Sequence, residues 1–128
     1  NTHHLIRFET PEIMPNTDID PEVLDSVVDN LLQNALEKAK IETDISIKVS
    51  LMPTQHFCLE VTDNGSRIPD NVAKLLFNSH INSENGLGVG LYHAAQQSLN
   101  AGYLLSLVDN REGDVRFRLE TNTAIATK

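Results

Sequence analysis

Apolar and polar residues alternate with two different periods along this chain. Between residues 20 and 39 the apolar positions recur at helical spacing, at Val23, Leu24, Val27, Val28, Leu31, Leu32, Ala35 and Ala39. This pattern predicts an amphipathic helix of about five turns, with Asp20 as its N-cap and Pro21 in its first position. Shorter helices are predicted over residues 69–77 and over residues 90–102, where Gly102 is suited to the C-cap.

Period-two alternation predicts the strands. A weak alternation over residues 3–10 predicts an edge strand. Stronger alternation predicts two antiparallel hairpins, formed by segments 44–51 with 56–63 and 103–110 with 114–121. This order of elements predicts an α+β fold, a two-layer α/β sandwich with a mixed, mostly antiparallel sheet covered on one face by three helices.

Length and composition narrow the class of protein. The 128 residues are enough for a single domain spanning 1–128, and the start at Asn1 instead of Met suggests a fragment of a longer protein. A net charge of −8 argues against a nucleic-acid partner. No apolar run approaches the roughly 20 residues of a membrane helix, so we expect no direct membrane contact by this domain. The single Cys58 fits a reducing compartment, which favours a cytoplasmic location.

Two segments contain candidate binding residues. Asn30 and Asn34 are four residues apart and project from one face of the long helix, where their amide oxygens can bind a hard cation. The alternative is a polar boundary on an amphipathic helix. Asp63 ends a predicted strand, where its carboxylate can accept a hydrogen bond from an exocyclic amine, and Gly65 allows a flat ring to approach closely. The alternative for this segment is an ordinary Asp-Asn-Gly turn.

A third segment is rich in glycine. Gly86, Gly88 and Gly90 alternate just before the helix predicted over residues 90–102. Backbone N–H groups in such a run, together with the positive end of the helix dipole, can form a phosphate cradle. The segment is neither a dinucleotide-binding fingerprint, because no strand precedes it, nor a P-loop, because no Lys-Ser/Thr follows it.

Taken in order, these segments resemble the ATP-binding fold of the GHKL superfamily. The closest resemblance is to the catalytic, ATP-binding domain of bacterial two-component sensor histidine kinases. "NLLQNALEKA" resembles the asparagine box, "DNGSRIP" the first glycine box, and "GLGVGL" the second. Phe77 matches the phenylalanine box, and the resemblance extends over nearly the whole chain.

The resemblance implies a function and a role for each matching residue. It implies that the domain binds Mg·ATP and transfers the γ-phosphoryl group to a histidine on a separate dimerisation domain of the same full-length protein. A response regulator would act downstream of that histidine. Asn34 would bind Mg²⁺ with help from Asn30, and Asp63 would hold the adenine amine. The other implied nucleotide-binding residues are Gly65, Arg67, Ile68, Phe77, Gly86, Leu87, Gly88, Val89, Gly90, Leu91 and Lys38. The full-length protein could then be a membrane-anchored sensor with this domain in the cytoplasm.

Several departures from the family pattern predict weak nucleotide binding. Arg67 replaces the second glycine of the first glycine box, either because no positive φ is needed there or as a substitute cation. Glu37 stands where many histidine kinases have lysine, which Lys38 or Lys40 could replace. The presumed lid, residues 78–88, contains no Lys or Arg.

Two alternative functions follow from these departures and from the shared fold. One is a degenerate GHKL module that binds nucleotide poorly or not at all and acts in protein interaction. The other is an anti-sigma-type serine kinase. None of the histidines precedes Asp or Glu, the context typical of the phosphoacceptor, so the isolated domain is not expected to autophosphorylate.

Overall fold

Eight helices and strands make up the described part of the chain. The computed structural model describes residues 6–9, 19–52, 56–73 and 87–122, apart from the side chains of 72 and 87–90. The elements are β1 (Ile6–Glu9), α1 (Pro21–Ala39), β2 (Ile47–Leu51), β3 (Cys58–Asp63), α2 (Asp70–Ala73), α3 (Leu87–Asn100), β4 (Tyr103–Arg111) and β5 (Asp114–Thr121).

The strands form one five-stranded sheet in the order β1-β2-β3-β5-β4. β1 runs parallel to β2 at one edge, and every other neighbouring pair is antiparallel. The predicted edge strand, both predicted hairpins and the mixed, mostly antiparallel sheet are therefore confirmed. The order also places β3, which ends at Asp63, in the middle of the sheet.

The core lies between one face of the sheet and the helices. Alternate residues of β5 are buried, namely Val115, Phe117 and Leu119, as period two requires of a strand with one covered face. α1 contacts α3 and β3, and α3 also contacts β4. The helices add the buried side chains of Val27, Leu31, Ala35, Leu91, Ala94 and Ala95. The predicted two-layer sandwich is confirmed.

The opposite face of the sheet is polar. Glu60 in β3 is only 7% exposed, because Arg118 and Arg116 of β5 cover it. The guanidinium of Arg118 donates to Glu60 at 2.7 and 2.8 Å. Cys58 belongs to this face and is half-buried. Burial raises the pKa of its thiol.

The ends of the helices follow their sequence signals, with one exception. Asp20 caps α1 by accepting a hydrogen bond from the Glu22 N–H at 2.9 Å, and Gly102 follows α3 with a φ of 87°. However, α3 begins at Leu87, so Gly88 and Gly90 lie in its first turn and not before the helix. The prediction of a later start was wrong. Glycine disfavours a helix by only about 1 kcal/mol, and N–H groups of a first turn need no intrahelical acceptor.

Several predicted features lie outside the described residues. They include most of the presumed lid, the two motif residues Phe77 and Gly86, and the second half of the helix predicted over 69–77. Within the described ranges, no helix has both the length and the apolar character that crossing a membrane requires.

The cap at Asp20 gives a test of the α1 boundary. Replacing Asp20 with Ala leaves the Glu22 N–H without its acceptor, so the free energy of unfolding should fall by about 1 kcal/mol. Asp20→Asn retains a good capping oxygen and should unfold close to wild type. Urea denaturation of the three proteins measures this, and an Ala variant as stable as wild type would contradict the assignment.

Candidate functional site

The C-terminal half of α1 and the loop after β3 enclose a cleft of about 200 Å³. One wall consists of Asn34, Glu37 and Lys38, followed by Ile41 and Glu42 just after the helix. The other wall is the segment Ser66, Arg67, Ile68 and Pro69. Two of the segments that the sequence singled out, far apart along the chain, are therefore neighbours in the fold.

Asp63 is a buried carboxylate beside this cleft. It ends β3 with 3% of its surface exposed. Its Oδ1 accepts hydrogen bonds from the Gly65 N–H at 2.8 Å and from Lys38 Nζ at 3.0 Å, and its Oδ2 lies 3.2 Å from the same Nζ. The Lys38 side chain is itself only 13% exposed. An ionised carboxylate can remain buried only when it is paired and hydrogen-bonded, and both conditions are met here.

Gly65 is required by close packing. A Cβ at this position would lie 2.9 Å from Ile45 Cδ1, 3.0 Å from Lys38 Cδ and 3.1 Å from Asp63 Oδ1. A left-handed backbone is not the reason for glycine at this position, because among the described glycines only Gly102 and Gly113 have a positive φ. Gly65 therefore allows the Lys38 stem to pass across the backbone on its way to Asp63.

The loop after Asp63 is held from two sides. Glu42 accepts hydrogen bonds from the Ser66 N–H at 2.9 Å and from its hydroxyl at 2.5 Å. From the other side, Asn110 of β4 accepts from the Ile68 N–H at 2.8 Å and donates to the Ile68 carbonyl at 2.9 Å. These contacts keep the cleft wall in place without a helix or strand in the loop itself.

The turn of the β4–β5 hairpin completes this support. The Gly113 N–H donates to the Gly65 carbonyl at 2.9 Å, and Glu112 accepts from the Arg67 N–H at 3.1 Å. Sequence reasoning missed Glu42, Asn110 and Glu112 as supports of the site. Their only sequence signal is a polar side chain next to a turn, which many surface residues share.

The Glu42 carboxylate has a lowered pKa. The main cause is the hydrogen bond from the Ser66 hydroxyl, and the Ser66 N–H and the nearby positive charge of Lys38 act in the same direction. Glu42 therefore favours its ionised form, which is the form that accepts both hydrogen bonds from Ser66.

Arg67 has an ordinary backbone and an exposed side chain. Among the described residues other than glycine, only Asp44 has a positive φ. Arg67 thus fills the position of a family glycine without strain. Its guanidinium lies 2.8 Å from Asp70 Oδ1 at the start of α2, and its side chain is 44% exposed. Of the two explanations for this arginine, the structure favours the one in which no positive φ is needed.

The asparagines of α1 differ in their surroundings. Asn34 is 7% exposed and lines the cleft, and its Nδ2 is buried without a hydrogen-bond partner among the described residues. Asn30 is half-buried, and its Nδ2 donates to the Ser26 carbonyl at 3.0 Å. The Asn30 amide nitrogen is therefore bound to the backbone of its own helix.

These amides fit one kind of metal site. The described residues contain no cluster of three His, Cys, Asp or Glu that could hold a metal by itself. Mg²⁺, however, is commonly held by one or two protein oxygens together with substrate phosphates and water. Asn34 lines the open cleft, where its amide oxygen is available to a cation that arrives with a phosphate ligand and its unpaired Nδ2 suits an acceptor such as a phosphate oxygen.

The remaining predicted site residues are distributed between core, helix and surface. Ile68 and Leu91 are buried at 2% and 1% exposure. Leu87 begins α3, and the backbone of Gly88, Val89 and Gly90 forms its first turn. Lys38 lines the cleft, whereas the side chain of Lys40 is 70% exposed and pairs with Glu37 at 3.1 Å. Of the two lysines proposed to replace a family lysine, only Lys38 is therefore in position to meet a ligand in the cleft.

Comparison with known proteins agrees with the fold. The sequence profile of the histidine kinase-, DNA gyrase B-, and HSP90-like ATPase family matches residues 19–124. The catalytic domain of histidine kinase ThkA, in a nucleotide-free form, superposes with a TM-score of 0.70 at 25% identity, covering 91% of this chain and 76% of that one. No match was found among curated protein sequences.

More distant structures share the fold. The mycobacterial sensor histidine kinase MprB has a TM-score of 0.67 at 24% identity, with 91% of this chain and 80% of that chain covered. The Acinetobacter baumannii histidine kinase AdeS has a TM-score of 0.66 at 17% identity, with 93% of this chain and 55% of that chain covered.

The contact between Glu42 and Ser66 predicts a pH dependence of stability. The folded-state pKa of Glu42 lies below its usual value of 4.5, so its contribution is complete above that value and is lost as the pH falls through the folded-state pKa. Wild type should therefore exceed Glu42→Gln in free energy of unfolding at pH 7, and the difference should shrink in acid. Urea denaturation of both proteins at several pH values measures it, and a difference independent of pH would contradict the role of this carboxylate.

Proposed function

The chain belongs to the histidine kinase-, DNA gyrase B-, and HSP90-like ATPase family, and from this premise we propose that it binds Mg·ATP and donates the γ-phosphoryl group to a histidine. That histidine would lie on the dimerisation domain of the same full-length protein, in a two-component pathway. The observation that supports the proposal best is that two polar groups of the matching motifs lie at or beside the same cleft. One is Asn34, which lines the cleft and has an unpaired Nδ2, and the other is the buried carboxylate of Asp63, which lies beside the cleft against Lys38.

Each group has a distinct task in this proposal. The Asp63 carboxylate accepts a hydrogen bond from the exocyclic amine of adenine, a charge-assisted contact that selects for a donor at that edge of the base. Asn34 supplies an oxygen to Mg²⁺, and Asn30 supports it from one turn earlier on the same helix face. When bound, the metal would neutralise the phosphate charge that builds up during transfer. Asp63 and Asn34 therefore set the orientation of the two ends of the nucleotide.

The asparagine at position 30 favours transfer over hydrolysis. An amide cannot take a proton from water, so Asn30 cannot serve as a general base. Phosphoryl transfer to a histidine depends mainly on positioning and on stabilising charge, for which an amide is sufficient. The backbone N–H groups at the start of α3 are suited to the phosphates, because a helix N-terminus attracts anions.

The proposal requires partners outside this domain. The acceptor histidine comes from the dimerisation domain, and a response regulator then receives the phosphoryl group from it. Both steps would take place in the cytoplasm. The isolated domain should bind nucleotide without labelling itself.

Nucleotide titrations of single variants test the proposal. Asp63→Asn should weaken Mg·ATP binding about tenfold or more, because a hydrogen bond to a charged group contributes roughly 1.5–3 kcal/mol. Asn34→Ala should reduce the affinity measured with Mg²⁺ and leave the affinity measured in EDTA unchanged. Isothermal titration calorimetry with a non-hydrolysable ATP analogue, with and without Mg²⁺, measures both effects.

Gln33→Ala is the matched control for Asn34→Ala, because Gln33 is an exposed amide on the same helix. It should bind like wild type under both conditions. Circular dichroism melting of each variant verifies that it is folded. Equal affinities in wild type, Asp63→Asn and Asn34→Ala would refute the assigned roles, and no binding by wild type would favour the degenerate protein-interaction module.

The orientation of Arg67 leads to a separate expectation. Its guanidinium pairs with Asp70, and its backbone has no positive φ. Arg67→Gly should therefore change the affinity for Mg·ATP by less than about threefold. The corresponding change in binding free energy is below the 1.4 kcal/mol of a tenfold change in affinity. The same calorimetric titration measures this. A large loss of affinity would show that the arginine contacts the phosphates, and a large gain would show that it obstructs them.

A further inference from the structure

A lysine side chain occupies the acceptor that the proposed function assigns to the nucleotide base. Lys38 Nζ is 3.0 Å from Oδ1 and 3.2 Å from Oδ2 of Asp63, so it interacts with both carboxylate oxygens. Oδ1 also accepts the Gly65 N–H at 2.8 Å. Because each carboxylate oxygen has about two acceptor sites, Oδ1 is fully used and Oδ2 is half used.

The stem of the same lysine occupies the apolar side of the site. Its Cδ lies 3.0 Å from the position that a Cβ on Gly65 would take. This is the space through which a flat ring would have to approach the backbone at Gly65. Lys38 therefore competes with the base for the carboxylate, of which one acceptor site on Oδ2 is left, and occupies the space beside Gly65.

The surroundings offer Lys38 other positions. Glu37 and Glu42 line the same cleft, and the positive charge of Lys38 already acts on Glu42. A lysine has a flexible four-carbon stem, so its ammonium can change partners without backbone movement. Displaced from Asp63, it would still find a carboxylate within the cleft.

We propose that Lys38 is an internal competitor of the nucleotide base, and that its displacement from Asp63 determines the affinity of this domain for adenine nucleotides. The proposal rests on the proposed function, because it takes Asp63 as the acceptor of the adenine amine. Lys38 stabilises the nucleotide-free domain by compensating a buried carboxylate. The same lysine opposes binding, since the base has to share the carboxylate with the ammonium and to displace the stem from the space beside Gly65.

Replacing Lys38 with Met separates these two effects. Methionine keeps an unbranched stem and loses the ammonium. The affinity for adenine ligands should rise about tenfold, because the competing charge-assisted hydrogen bonds are gone. The melting temperature without ligand should fall, because Asp63 loses its buried counter-ion.

The experiment is a calorimetric titration of wild type, Lys38→Met and Lys40→Met with adenosine and with Mg·ATP. Adenosine has no phosphates and therefore reports the base site alone. Lys40→Met removes the same charge two residues away, from a side chain that is 70% exposed and pairs with Glu37. It should bind both ligands like wild type. If the Met variant does not fold, Lys38→Gln serves instead and should also bind more tightly than wild type.

The outcomes separate the two proposals. The competitor role is supported if the affinity for adenosine and the affinity for Mg·ATP rise by a similar factor in Lys38→Met and do not rise in Lys40→Met. Weaker binding of Mg·ATP with unchanged binding of adenosine would show that Lys38 contacts phosphates, and would overturn it. Equal affinities in all three proteins would overturn the competitor role and leave the proposed function intact. Binding of neither ligand by any of the three would contradict the proposed function itself, and the competitor role with it.

Discussion

The buried negative charge of Asp63 is the constraint on which the cleft depends. This carboxylate ends the central strand β3 at 3% exposure, where water cannot solvate it. It is compensated by the Lys38 ammonium and by the Gly65 N–H. That compensation in turn requires α1 to pass beside the end of β3 and requires a residue without a side chain at position 65. One interaction therefore links the helix, the strand and the loop that form the site.

The second requirement is a loop that keeps its shape without regular secondary structure. Residues 64–69 are tied to Glu42 on one side and to the β4–β5 hairpin on the other. Backbone N–H and carbonyl groups that would otherwise be unpaired next to the cleft are satisfied by these contacts. The cleft wall is thereby attached to the sheet, and the β4–β5 hairpin holds Ile68 in position through Asn110.

The departures from the family pattern have different meanings in three dimensions. Arg67 is accommodated by an ordinary backbone and by Asp70, so it leaves the loop intact. Glu37 stands in place of a family lysine, and the neighbouring Lys38 contacts the buried carboxylate of Asp63 and fills the space above Gly65. The family match and the fold describe an ATPase-type domain, in which the carboxylate of Asp63 is already paired with Lys38.

The sequence by itself determined the features that depend on neighbouring residues. Alternation set the strands, the 3.6-residue period set α1, and Asp20 and Gly102 marked helix ends, because these signals act within one or two turns. The prediction from local signals was wrong at the start of α3, which begins at Leu87, because the glycines suggested a later start. Only the tertiary structure decided which charges meet. Lys38 and Asp63 are 25 residues apart, and Asn110 and Ile68 are 42 apart. Such pairs form when the sheet and helices pack, and no local pattern encodes them.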